Sequence, residues 1–204
     1  MVQKLDHLKE SASQTAGPYV HIGCTPNWLG ITGIYPVDLG ATMLTPQTKG
    51  ERILIKGRVI DGSGTPLRDA LIEIWQADAD GLYPGRGEKR GQADPGFAGW
   101  GRCPTDGASG EFRFETIKPG RVPFPDGRLQ APHISFWIVA RGINLGLNTR
   151  LYFADETATN AEDPILRRIE HGARRDTLLG TRQGNVYRFD IHLQGAQETV
   201  FFDI

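Results

Sequence analysis

Ala131-Pro132-His133-Ile134-Ser135-Phe136-Trp137-Ile138-Val139-Ala140-Arg141 alternates with the period of a β-strand. Successive side chains of an extended chain point to opposite faces. His133, Ser135, Trp137, Val139 and Arg141 therefore share one face, and Ile134, Phe136 and Ile138 share the other. The second face is core. The first carries a histidine, a serine and an arginine, so it is a candidate site. For His133 taken alone, a hydrogen-bonded interior histidine is the more common use of that residue.

The same period recurs to either side. Arg52 to Ile60 alternates Ile53, Ile55 and Val59 against Lys56 and Arg58, then stops at the turn residues Asp61-Gly62-Ser63-Gly64. Further strands are predicted over Ala70–Trp75, Glu111–Glu115, Thr149–Phe153, Tyr187–Leu193 and Thr199–Phe202. Between Asp78 and Cys103 the chain carries seven glycines and no stable period, which predicts a long irregular excursion of the kind that often serves function. Asp163-Pro164 followed by Ile165, Leu166 and Ile169 predicts one short helix near 164–171, with an acidic cap and a proline at its first position. No strand–helix–strand rhythm is present. The expected fold is all-β: two antiparallel sheets packed as a sandwich, with little helix. Residues 1–204 read as one domain, and residues 1–50, with prolines at 18, 26, 36 and 46, read as an extended N-terminal arm that packs on the sandwich or on a partner.

Composition narrows the function classes. The 23 basic and 24 acidic residues nearly cancel, so no electrostatic footprint for nucleic acid or an anionic membrane exists. Small molecules and protein partners remain. The charged start, Met1-Val2-Gln3-Lys4-Leu5-Asp6, lacks the apolar core of a signal peptide, and the apolar run around Phe136 is too short to span a bilayer. A cytoplasmic location is expected. Cys24 and Cys103 have no metal-type spacing and read as free thiols.

Seven segments then carry a resemblance. They are Gln14-Thr15-Ala16-Gly17-Pro18-Tyr19-Val20-His21-Ile22-Gly23, Glu73-Ile74-Trp75-Gln76-Ala77-Asp78, Gly99-Trp100-Gly101-Arg102, Ile117-Lys118-Pro119-Gly120, the strand 131–141, Tyr187-Arg188-Phe189-Asp190-Ile191, and Glu198-Thr199-Val200-Phe201-Phe202-Asp203-Ile204. In this order and spacing the chain resembles the intradiol ring-cleavage dioxygenase family. Catalytic members bind Fe(III) through two tyrosines and two histidines, hard phenolates and imidazoles that suit a ferric ion. Tyr83 stands at the first tyrosine position and His133 at the first histidine position, but Val122 and Ser135 stand at the other two. Half the ligand set is missing.

The resemblance therefore implies a division of labour. This chain is expected to be an iron-free alpha-type subunit that pairs with an iron-binding beta subunit of the same fold. Together they would cleave 3,4-dihydroxybenzoate with O2 to 3-carboxy-cis,cis-muconate. Thr15, Gly17, Pro18 and Arg141 are carried over as residues at the edge of the partner's substrate pocket. Glycine and proline let a backbone pass close to a flat ring, and arginine suits a carboxylate. A structural salt bridge is the alternative for Arg141, and an ordinary turn for Thr15 and Gly17. No catalytic residue and no metal ligand is assigned to this chain. A stand-alone iron enzyme and a non-enzymatic β-sandwich binding module are the competing readings, because fold by itself does not imply function.

Overall fold

The computed structural model describes residues 15–144 and 146–203, so residues 1–14 of the arm, including Gln14 of the first motif, and Ile204 of the last motif lie outside the described residues. The strands are β1 (Arg52–Ile60), β2 (Leu71–Trp75), β3 (Trp100–Pro104), β4 (Glu111–Ile117), β5 (His133–Val139), β6 (Leu147–Phe153), β7 (Leu179–Gln183), β8 (Val186–Arg188) and β9 (Ile191–His192). The short helices are α1 (Pro18–Cys24), α2 (Thr157–Glu162) and α3 (Gly172–Asp176), with a single 3-10 turn at Leu166–Arg168.

Alternation explains β1 and β5 directly. Ile53, Ile55 and Val59 are buried while Arg52 and Arg58 stay exposed. On β5, Ile134, Phe136 and Ile138 are buried in the core, and Trp137 on the opposite face is 39% exposed. The Phe136 ring meets Phe112, Phe114 and Phe189 edge-on, with centroids 5.9, 6.4 and 5.3 Å away. These contacts tie β5 to β4 and to the segment after β8 across one continuous core.

The chain is strand-rich and helix-poor, as the sequence predicts, but its hydrogen bonds do not divide it into two separate sheets. One path runs β3-β2-β5-β6-β7-β8-β1-β4, with β9 also paired to β1, and it curls until its two halves face each other. Nor is every pair antiparallel. β1 pairs with β8 and β9, and β6 with β7, in parallel. Period-two alternation says which face a side chain takes; it carries no information about the direction of the neighbouring strand.

Other boundaries shift for local reasons. β3 and β7 went unpredicted because Gly101, Pro104 and the exposed end of β7 break the apolar pattern. The segment Thr199–Phe202 forms only a bridge from Phe202 to Asn148. Asp163 does cap, its carboxylate accepting the N–H groups of Ile165 and Leu166 at 2.8 Å, but the helix it starts is one 3-10 turn that ends where Ile169 becomes extended. In the arm, Pro18 occupies the first turn of α1, where its missing N–H costs nothing.

Candidate functional site

Two groups of side chains on the outer face of the β2-β5-β6 region hold the residues singled out by sequence. The first lies at the end of β5. Thr15 Oγ1 donates to the Ala140 carbonyl at 3.2 Å and accepts from the Gly142 N–H at 2.9 Å, which pins the start of the arm against the turn bearing Arg141. Gly142 has φ +83°, a left-handed conformation that glycine adopts without cost. Gly17 precedes α1 as its N-cap, and a Cβ built on it would meet nothing within 4 Å. From α1, buried His21 bonds through Nε2 to the Asp69 carbonyl at 3.0 Å, and the Asp69 carboxylate forms an ion pair with Arg141. The fold thus gathers Thr15, Gly17, Pro18 and Arg141 at one surface. The salt bridge weighed for Arg141 exists, yet its side chain remains 74% exposed.

The second group follows from strand register. His133 lies opposite Tyr152, and Ser135 sits between Arg150 of β6 and Trp75 of β2. Tyr83 stacks on Trp75 with ring planes 5° apart and centroids 6.2 Å apart. Val122 is buried, and its carbonyl accepts the Gln130 N–H at 2.8 Å. Arg150 Nη1 donates to Gln130 Oε1 at 2.8 Å and lies 3.4 Å from the Tyr152 hydroxyl, which bonds to buried Asp163 at 3.4 Å. The remaining Asp163 capacity is taken by three backbone N–H groups, those of Ala131, Ile165 and Leu166.

Gln130, Arg150 and Tyr152 escaped sequence reasoning as members of this group, and Asp163 was read only as a helix cap. An arginine within the predicted strand 149–153 was the available signal.

Burial sets the protonation of this group. It pushes the His133 imidazole down to about 4, aided by the Arg150 charge. His133 Nδ1–H donates to the Ala131 carbonyl at 2.8 Å, and burial leaves the ring neutral at pH 7. Burial raises the Tyr83 phenol, with Arg150 pulling the other way. Because the unfolded imidazole titrates near 6.5 and the folded one at about 4, the unfolded chain binds more protons in that window, so stability is lost as the pH falls through it. The loss attributable to His133 is about 1 kcal/mol between pH ~6 and ~5. Denaturant unfolding of wild type and His133→Gln across that interval checks it: the variant's profile should be flatter, and parallel profiles would contradict the assignment.

A family model described as "Dioxygenase" matches residues 36–195. The chain belongs to the intradiol dioxygenase family. The protocatechuate 3,4-dioxygenase alpha chain of Pseudomonas putida is 43% identical over 203 residues, covering 98% of each chain. The protocatechuate 3,4-dioxygenase beta chain of Burkholderia cepacia is 39% identical over 160 residues, 74% of this chain and 67% of that one. Among solved structures, the dioxygenase domain of a dioxygenase carbohydrate-binding fusion from Streptomyces sp. SirexAA-E superposes with a TM-score of 0.54 at 29% identity, covering 81% of this chain and 94% of that one.

Membership of the intradiol dioxygenase family raises the question of iron, and the residues present do not fit it. At the positions where the family resemblance implies a tyrosine and a histidine, the Val122 side chain offers no donor atom and Ser135 offers only a hydroxyl. Tyr83 is held as a neutral phenol, and a guanidinium stands opposite Ser135. Among the described residues no three His, Cys, Asp or Glu side chains converge on a metal-sized space. Cys24 and Cys103 are free thiols.

Proposed function

We propose that this chain is the alpha subunit of a protocatechuate 3,4-dioxygenase, which shapes the substrate pocket of an iron-binding beta subunit. The reaction is the O2-dependent cleavage of 3,4-dihydroxybenzoate between its hydroxylated carbons to 3-carboxy-cis,cis-muconate. The observation that carries the reading is a near full-length likeness to an alpha chain in a sequence with Val122 and Ser135 at two of four ligand positions. Fe(III) and its chemistry belong to the beta subunit. Thr15, Gly17, Pro18 and Arg141 form the edge offered to that pocket. The open space beside Gly17 leaves room for a ring or a partner backbone, and the exposed Arg141 suits the benzoate carboxylate.

Partner contact is supported by the arm. Tyr19 is 85% exposed, and Ile34, Val37 and Leu39 are each about half exposed or more. Several exposed apolar side chains along one segment are the kind of surface that a partner chain covers. Trp75 and Trp137, also exposed, add two anchors of the type enriched at interfaces. In this reading residues 1–50 are the arm of a single domain, and the halves of the curled sheet are the layers of the family sandwich. The described residues contain no helix long and apolar enough to cross a membrane, and we place the complex in the cytoplasm.

Co-expression with a beta-type chain tests this. Both chains should co-purify with protocatechuate-cleaving activity and one iron per alpha/beta pair. A well-behaved monomer with no affinity for the beta chain sinks the proposal, as does an iron content near two per pair.

A further inference from the structure

Arg150 is the charged centre of the second side-chain group. It faces Ser135 directly across the β5–β6 ladder, and its guanidinium lies over the Phe202 ring, 5.8 Å from the centroid. Among the described residues no carboxylate lies within ion-pair distance of it. The counter-charge is one hydroxyl away. Arg150 Nη1 reaches the Tyr152 oxygen, and that hydroxyl donates to Asp163, which is fully buried. One cation and one anion are thus bridged by a neutral phenol.

We propose that Arg150 is the resident cation of this cluster and bars a ferric ion from it, so that positions 122, 135 and 150 together, not 122 and 135 alone, set this chain's lack of affinity for iron. The inference rests on the reading of Tyr83, Val122, Ser135 and His133 as the family's ligand positions. Three physical points support it. A fixed positive charge on the strand residue facing Ser135 repels a trivalent ion through a partly desolvated medium, where charges are poorly screened. The guanidinium is held by Gln130 and Tyr152, so it cannot withdraw without leaving Gln130 Oε1 unpaired. The same guanidinium reaches the hydroxyl of Tyr152, whose ring lies 5.6 Å from that of His133 across the ladder, so its charge stands close to the remaining candidate imidazole.

The test uses the full chain co-expressed with its beta-type partner and measures iron per pair, together with the visible tyrosinate-to-iron absorption of the altered chain over the unaltered complex. Val122→Tyr/Ser135→His, with Arg150 retained, should add no iron. Val122→Tyr/Ser135→His/Arg150→Gln should add up to one more per pair, because a neutral amide keeps a partner for Gln130 and Tyr152 while removing the charge. Equal iron in the two variants overturns the proposal, and so does a folded triple variant that stays free of added iron. Iron content and assembly of the unaltered complex judge the subunit assignment separately.

A second measurement holds even if the triple variant does not fold. In equilibrium urea unfolding of the purified protein, Arg150→Gln and Asp163→Asn should be coupled. The double variant should be destabilised by at least about threefold less, in the unfolding constant, than the product of the single effects. Independent effects would mean that Arg150 and Asp163 do not balance each other, and the proposal fails.

Discussion

Gly57→Ala lowers the stability of this protein by about 3 kcal/mol, the upper part of the range for forcing extra atoms into a packed core. For a chain of this size that is a fall in the unfolding midpoint of roughly 6–12 °C. Gly57 lies in β1, opposite Phe112 of β4. On the other side of β1 the Phe189 N–H donates to the Lys56 carbonyl at 2.8 Å, and the chain there crosses directly over the glycine. A Cβ at position 57 would stand 1.8 Å from the Phe189 carbonyl oxygen and 2.8 Å from the tip of the Phe112 ring. The first contact is with backbone, so no side-chain rotation relieves it. β1 must separate from the strands beside it, and β1 joins β4, β8 and β9.

The direction is diagnostic, because replacing glycine by alanine at an unstrained site stabilises through the unfolded chain. Gly107, in the turn before β4, has open space where a Cβ would go. Gly107→Ala should therefore stay within about 0.5 kcal/mol of wild type. Thermal unfolding of both variants decides it; equal midpoints would show that the crossing at Phe189 is not tight.

Arg141→Ala, assayed in the assembled enzyme, is expected to cost roughly ten- to a hundredfold in kcat/KM for protocatechuate. That corresponds to about 1.5–3 kcal/mol, the worth of a hydrogen bond to a charged group. Assembly and iron content should not change. The ion pair with Asp69 is the competing account of this side chain, and its exposure limits what it can contribute, since exposed pairs stabilise by about 0–1 kcal/mol. Asp69→Asn separates the two roles. It abolishes the pair and leaves the Arg141 charge in place, so activity should be retained. Arg141→Lys should recover only part of the loss, because an ammonium cannot grip a carboxylate through two parallel bonds. Unchanged kcat/KM in Arg141→Ala would assign the residue to Asp69 and to structure.

Much of the fold was legible wherever local alternation was strong. The bounds of β1 were read directly from Ile53, Ile55 and Val59 against their charged neighbours, and the two faces of β5 were correct from His133 to Val139, although Arg141 falls in the turn beyond the strand. The motif order identified the family, and the gaps at Val122 and Ser135 were visible as plain residue types. Those readings depend only on the two-residue repeat of an extended chain and on side-chain chemistry, both of which are local properties. β3 was missed because a glycine-containing strand ending in proline has no such repeat, and α1 because Pro18 reads as a breaker until it is known to sit in a first turn.

Only the tertiary structure decided which elements meet. The parallel placement of β8 beside β1 puts Phe189 over Gly57, and nothing within either segment encodes that crossing. The fold also brings Thr15 to Gly142 across 127 positions of sequence, and Arg150 opposite Ser135. By itself the sequence determined the strands with clear alternation, the family and the missing donors. The charge that stands among the remaining donors was settled by strand register, because a pairing between distant segments depends on how the whole core closes and not on the period of either strand.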